Sequence, residues 1–139
     1  MPNILIVDDE PYIRRFLSIL LIHKGYDVTL AEDGQKGLDR FVLERPDVIV
    51  LDLQMPQMDG LMVLKQIRTF NSVQPVIILT SGTTEETEQH LRALGVMEFV
   101  EKGSAVHLLD AAIKRVLVLD LSKTLGNSEG PCLLASSSS

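Results

Sequence analysis

Cysteine is nearly absent from the 139 residues: Cys132 stands alone, tryptophan is missing, and aromatic residues make up 4%. One cysteine excludes a disulfide scaffold and a cysteine-rich metal site, and it fits a reducing, cytoplasmic setting. Long apolar runs are missing too, so no membrane segment is expected. The start, Met1-Pro2-Asn3 followed by four apolar residues, lacks the basic opening and long apolar core of a signal peptide. Positive charge is also scarce. The 13 basic residues face 19 acidic ones, a net charge of −6, which argues against direct nucleic-acid binding by this domain. What remains is 45% hydrophobic and 23% charged, enough to bury one core.

The stretch 46–60, P-D-V-I-V-L-D-L-Q-M-P-Q-M-D-G, organises the rest. Residues 48–51 are apolar and the run stops on a carboxylate, Asp52. Short β-branched runs bounded by breakers read as strands buried on both faces. Residues 4–7 repeat the pattern and end on Asp8, Asp9 and Glu10, with Pro11 at a helix start. Ile13, Phe16, Leu17, Leu20 and Leu21 then follow at helical spacing. Residues 26–31 make a weaker, edge-like strand, and Leu38, Phe41 and Val42 share one face of a second helix. Leu64, Ile67 and Arg68 mark a third helix. Residues 76–79 form a fourth strand that ends on Thr80. Thr83 and Glu86 have the spacing of a capping box, opening a helix anchored only by Leu91 and Leu94. Residues 96–100 read as the fifth strand, before Lys102. Ser104 is placed to cap a last helix whose buried stripe is Leu108, Leu109, Ala112, Ile113 and Val116.

Five strands alternating with five helices predict an α/β fold with a doubly wound parallel sheet and helices on both faces. In such sheets sites form beyond the carboxyl ends of the strands. Those ends carry Asp8, Asp9, Asp52, Thr80 and Lys102. Three carboxylates about 5 Å apart repel by roughly 3 kcal/mol per pair at an effective dielectric near 20, so they call for protons or a cation. Carboxylate oxygens suit Mg²⁺, Asp is a known nucleophile toward phosphoryl groups, and Lys102 can offset the remaining charge.

Asp8-Asp9 after an apolar strand, Asp52 followed by M-P-x-M-D-G, Thr80-Ser81-Gly82, and Lys102 after Phe99 together resemble the receiver domain of bacterial two-component response regulators, over about residues 2–118. The resemblance implies a flavodoxin-like five-stranded sheet of order 2-1-3-4-5. It implies Asp52 as phospho-acceptor, and Mg²⁺ held by Asp8, Asp9, Asp52 and the backbone carbonyl of Gln54. It further implies Thr80 and Phe99 as switch residues and Lys102 as the partner of the phosphorylated side chain. The phosphoryl donor is then a histidine kinase or histidine phosphotransfer protein, and an output domain or protein reads the result. Such a module is no metabolic enzyme; it promotes its own phosphorylation and dephosphorylation at Asp52. Gly103 departs from the family pattern, which has proline after the lysine, and a trans bond is expected there.

Simpler readings stand beside these. Asp8 or Asp9 can cap a helix, Asp59-Gly60 can be a turn and cap without chemistry, and Phe99 can be core. His23, His90 and His107 share no ligand spacing and read as surface residues, while Met55, Met58 and Met62 read as loop packing. A receiver-like interaction domain acting without phosphorylation is the alternative. A flavodoxin-like cofactor enzyme is disfavoured because Asp8-Asp9-Glu10 repels phosphate. A haloacid-dehalogenase-type phosphatase wants an Asp where Gln54 stands. The receiver domain is expected over 1–119. Residues 120–139, with Gly126, Asn127, Gly130, Pro131 and four terminal serines, read as a linker or poorly ordered tail. That leaves no room for a DNA-binding output domain, so the chain is a stand-alone receiver or a fragment of a longer regulator. Leu117, Leu119 and Leu121 leave a homodimer seam open.

Overall fold

The computed structural model describes the backbone of residues 1–104 and 106–129, and the side chains of 1–104 and 107–119. Strands β1 (Asn3–Val7), β2 (Asp27–Ala31), β3 (Val48–Asp52), β4 (Val76–Thr80) and β5 (Glu98–Glu101) alternate with five helices. These are α1 (Pro11–His23), α2 (Gly34–Glu44), α3 (Gly60–Phe70), α4 (Glu85–Ala93) and α5 (Val106–Glu129). All four strand pairings are parallel and the order is β2-β1-β3-β4-β5. Alternation along each strand divides the core in two. Leu5, Val7, Ile49, Leu51 and Ile78 pack with Phe41, Val63, Leu64, Ile67 and Leu91, the side of α2, α3 and α4. Ile4, Ile6, Val50, Ile77 and Leu79 face Leu17, Leu21, Leu109, Ala112 and Ile113, the side of α1 and α5. Every residue of β3 and β4 is buried, the condition under which a strand reads as a continuous apolar run.

Strand order reverses between β1 and β3. Their register pairs Val7 with Leu51, so Asp8 and Asp52, each the next residue along, emerge side by side. Fifth-strand pairing begins two residues later than expected, at Glu98. The edge position of β2 agrees with its half-polar sequence.

Several apolar residues expected in the core face outward instead. Phe16, Val42 and Leu108 are exposed, because each helix buries a narrower stripe than its apolar residues mark out. In α2 the buried positions are Gly34, Gly37 and Phe41. The cap of α4 is Thr84, whose hydroxyl accepts from the Thr87 amide, one residue past the expected Thr83. Leu91 is the single buried residue of that helix. The Ser104 hydroxyl donates to the Glu101 carbonyl at 2.6 Å, closing the loop before α5. No cis peptide bond occurs among the described residues. The α5 backbone stays helical through Glu129, ten residues past the boundary expected at 119. Residues 130–139 of the expected tail lie outside the described residues, as does the Leu121 side chain of the proposed seam.

Candidate functional site

Asp52 is the last residue of β3 and is fully buried. Its Oδ1 accepts the Gln54 amide at 3.1 Å, and its Oδ2 accepts Lys102 Nζ at 3.1 Å. Asp8 is equally buried, and its Oδ1 accepts the Glu10 amide at 2.9 Å. Asp8 Oδ2 lies 3.4 Å from Lys102 Nζ, an ion-pair distance, yet has no hydrogen-bond partner. Asp9, half-buried, completes the group: one oxygen from each of Asp8, Asp9 and Asp52 falls within 4.8 Å of the others. Neither Asp8 nor Asp9 caps α1. Glu10 holds the N-cap position without a side-chain cap bond, so helix capping does not explain the paired acids.

The electrostatics follow from this crowding. Burial, reinforced by the neighbouring Asp8 charge, pushes the Asp52 carboxyl up to about 7, although the Gln54 amide and Lys102 pull it back. Burial also raises Asp8. Lys102 moves the same way for the opposite reason: burial lowers it, but bonds to Glu10 and Asp52 and the Asp8 charge outweigh that. A buried carboxyl above its ordinary range, an orphaned buried oxygen and a nearby third acid mark a pocket that fits a hard cation bound through oxygens.

Lys102 is positioned by β5, its amide donating to the Thr80 carbonyl at 2.9 Å. The Thr80 hydroxyl is tied to its own loop, donating to the Gly82 carbonyl and accepting the Gly82 amide. Phe99 is half-buried against the α2–α4 side of the core, with the Arg92 guanidinium 4.7 Å above its ring. Thus Asp8, Asp9, Asp52 and Lys102 come together, while Thr80 and Phe99 sit nearby with their side chains engaged elsewhere.

Three further residues contribute in ways the sequence did not signal. The Gln54 side chain bridges to the next loop, with Oε1 accepting from Ser81 Oγ at 2.9 Å and Nε2 near the Gly82 carbonyl at 3.4 Å. Gly60 lies so close to the end of β3 that a Cβ would stand 2.5 Å from the Asp52 carbonyl oxygen. Glu10 reaches Lys102 across the rim. His23, His90 and His107 are exposed, as expected. Asp59 caps α3 through the Met62 amide, the turn-and-cap role expected of it.

The sequence model of the response regulator receiver domain matches residues 4–114, and the chain belongs to that family. Regulatory protein AtoC of Escherichia coli is 35% identical over 121 residues, covering 87% of this chain and 26% of its own length. The alkaline phosphatase synthesis transcriptional regulatory protein PhoP of Bacillus subtilis is 36% identical over 115 residues, covering 83% of this chain and 48% of its own. The chain therefore spans half or less of these curated relatives. Chemotaxis protein CheY4 of Vibrio cholerae superimposes with a TM-score of 0.80 at 34% identity, covering 84% of this chain and 99% of that one. A receiver domain protein of Clostridium thermocellum gives 0.82 at 28% identity, covering 90% and 99%. The chain is accordingly a phospho-acceptor signalling domain of the two-component type. Among the described residues no helix is long and apolar enough to cross a membrane.

Proposed function

We propose that Asp52 is the phospho-acceptor and that its donor is a phosphohistidine on a sensor histidine kinase or phosphotransfer protein. An Asp52 carboxylate oxygen forms the new bond to phosphorus. The bond from phosphorus to the imidazole nitrogen breaks, and its electron pair stays with the imidazole. The observation that supports this most directly is the placement of Asp52: fully buried at a strand end, 3.1 Å from Lys102 and beside the orphaned oxygen of Asp8.

Asp8, Asp9, Asp52 and the Gln54 backbone carbonyl are the groups that would hold Mg²⁺, which when bound neutralises charge on the transferring phosphoryl oxygens. Lys102 holds one phosphoryl oxygen with its ammonium, exchanging a carboxylate partner for it. The Thr80 hydroxyl leaves Gly82 and turns to the phosphoryl group, and Phe99 moves inward behind it. Because α4 buries only Leu91, with Leu94 at its C-cap partly buried against the same core, it is the element best able to follow. An output domain or protein reads the two arrangements through the different contacts each makes. The same rim groups promote hydrolysis of the acyl phosphate, and the setting is cytoplasmic.

The test is incubation with acetyl phosphate and Mg²⁺ followed by mass measurement. Wild type is expected to gain one phosphoryl group and Asp52→Asn none. Equal labelling of the two proteins, or no Mg²⁺-dependent adduct, would sink the assignment.

A further inference from the structure

Glu10 occupies a position its side chain does not serve. N-cap residues are favoured for short side chains that fold back onto the first helical amides, yet Glu10 makes no such bond. Its backbone is instead fixed by its amide, which donates to Asp8 Oδ1. Its carboxylate, on a side chain 56% exposed, pairs with Lys102 Nζ, a residue 92 positions away. Lys102 itself is 14% exposed and also contacts Asp52 and Asp8. Glu10 is thus the outermost of three carboxylates on one ammonium, standing on the solvent side of the acceptor.

We propose that Glu10 sets phosphodonor preference by occupying Lys102 and placing a negative charge at the mouth of the Asp52 pocket. This rests on Asp52 being the acceptor. A doubly charged small donor meets Glu10 head-on and must displace it from Lys102 before a phosphoryl oxygen can take its place. A protein donor can offset that displacement with contacts elsewhere on its surface, as remote binding energy does generally. Glu10 thereby biases the domain toward phosphohistidine on a protein and against free acyl phosphates. With acetyl phosphate the step is the same displacement. The Asp52 oxygen bonds to phosphorus, the bond from phosphorus to the bridging oxygen breaks, and acetate leaves with the electron pair.

The experiment compares wild type and Glu10→Gln on two small donors at saturating Mg²⁺ near neutral pH. Acetyl phosphate is a dianion there, while phosphoramidate carries one net negative charge. Charge at a cleft mouth acts in proportion to the charge it meets. Glu10→Gln is therefore expected to speed labelling by acetyl phosphate about fivefold and by phosphoramidate about twofold. Thermal unfolding of the two proteins verifies that α1 is intact. Labelled wild type with unchanged Glu10→Gln rates, or an equal change on both donors, overturns the role of Glu10 and leaves Asp52 as acceptor. Failure of both proteins to label with either donor overturns both.

Discussion

Thr80 spends its hydroxyl on Gly82, donating to the carbonyl and accepting from the amide at 3.0 Å each. The proposed switch residue is therefore parked on its own loop, and turning toward Asp52 requires both bonds to break. Thr80→Val keeps the shape and removes the hydroxyl. Gly82 is exposed and water can replace what it loses, so the stability cost is expected to be no more than about 1 kcal/mol. Labelling at Asp52 should stay within about threefold of wild type, because the proposed nucleophile is untouched. The shift of the Phe99 ring signals on phosphorylation, read by NMR, should disappear. A normal Phe99 shift in the variant would show that Thr80 does not carry the switch.

The acid pair makes a signed prediction about pH. Burial and the Asp8 charge raise Asp52 from 3.8 to about 7 in the folded chain, so between those values the folded state holds protons the unfolded state has lost. Its contribution to stability is fully present below about pH 4 and is lost as pH rises through about 7. Asp52→Asn removes this penalty. In EDTA the variant should match wild type at about pH 4 and exceed it near pH 8 by on the order of 2 kcal/mol, measured by urea unfolding. A difference that does not grow with pH would mean that the pocket leaves Asp52 charged throughout.

Lys102 is the counter-charge to that pair. Lys102→Ala leaves Asp8 and Asp52 facing each other without the ammonium, 3.4 and 3.1 Å from it in the wild type. The metal-free variant should lose about 2 kcal/mol near pH 8. Mg²⁺ affinity, read by calorimetry, should be unchanged or higher, since a nearby positive charge has gone. Weaker Mg²⁺ binding would place Lys102 among the groups that organise the cation site.

These positions differ in how far the sequence exposes them. Asp8, Asp52, Thr80 and Lys102 were legible because parallel strands of one sheet end on one rim, and each strand announces its end by a change from apolar to polar. The side-chain partners on that rim were not. Glu10 reads locally as an acid at a helix start, and its contact with Lys102 spans 92 residues. Thr80 ends its strand on either reading, so nothing in sequence tells which way its hydroxyl points. The exposure of Phe16, Val42 and Leu108 was hidden because periodicity marks a face, whereas burial depends on what the neighbouring elements cover. The helical backbone of α5 continues past Gly126 to Glu129, against the low helix propensity of glycine.

Tyr26 and Asp110 test whether stability can be changed without touching the chemistry. The Tyr26 hydroxyl donates to Asp110 Oδ1 at 2.8 Å, joining the start of β2 to α5 across 84 residues. Burial, then the Asp110 carboxylate, pushes the phenol up to about 12, so it remains the donor throughout the ordinary pH range. Tyr26→Phe leaves a buried carboxylate oxygen one bond short, at a cost of about 1–2 kcal/mol. Lys114 still pairs with Asp110 at 3.3 Å. Chemical denaturation should register the loss while acetyl phosphate labelling is unchanged. A parallel fall in labelling would connect this far side of α5 to the rim.

Gly60 looks from sequence like the second half of an ordinary turn, yet it packs directly against the backbone of the proposed acceptor, Asp52. A Cβ there would lie 2.5 Å from the Asp52 carbonyl oxygen and 2.8 Å from the Leu53 Cα, both backbone atoms with no rotamer to yield. The Gly60 amide also donates to the Leu53 carbonyl at 3.0 Å, so α3 cannot back away without losing that bond. Gly60→Ala should therefore cost about 2–3 kcal/mol by overpacking. Because the end of β3 moves with it, acetyl phosphate labelling at Asp52 should fall at least about tenfold, as small misplacements of reacting groups do. Gly103→Ala is the matched control. Among the described residues nothing lies within 4 Å of its added Cβ, and its φ is not positive, so it should stay within about 0.5 kcal/mol of wild type. If both substitutions leave labelling and stability alike, close packing at Gly60 does not position Asp52.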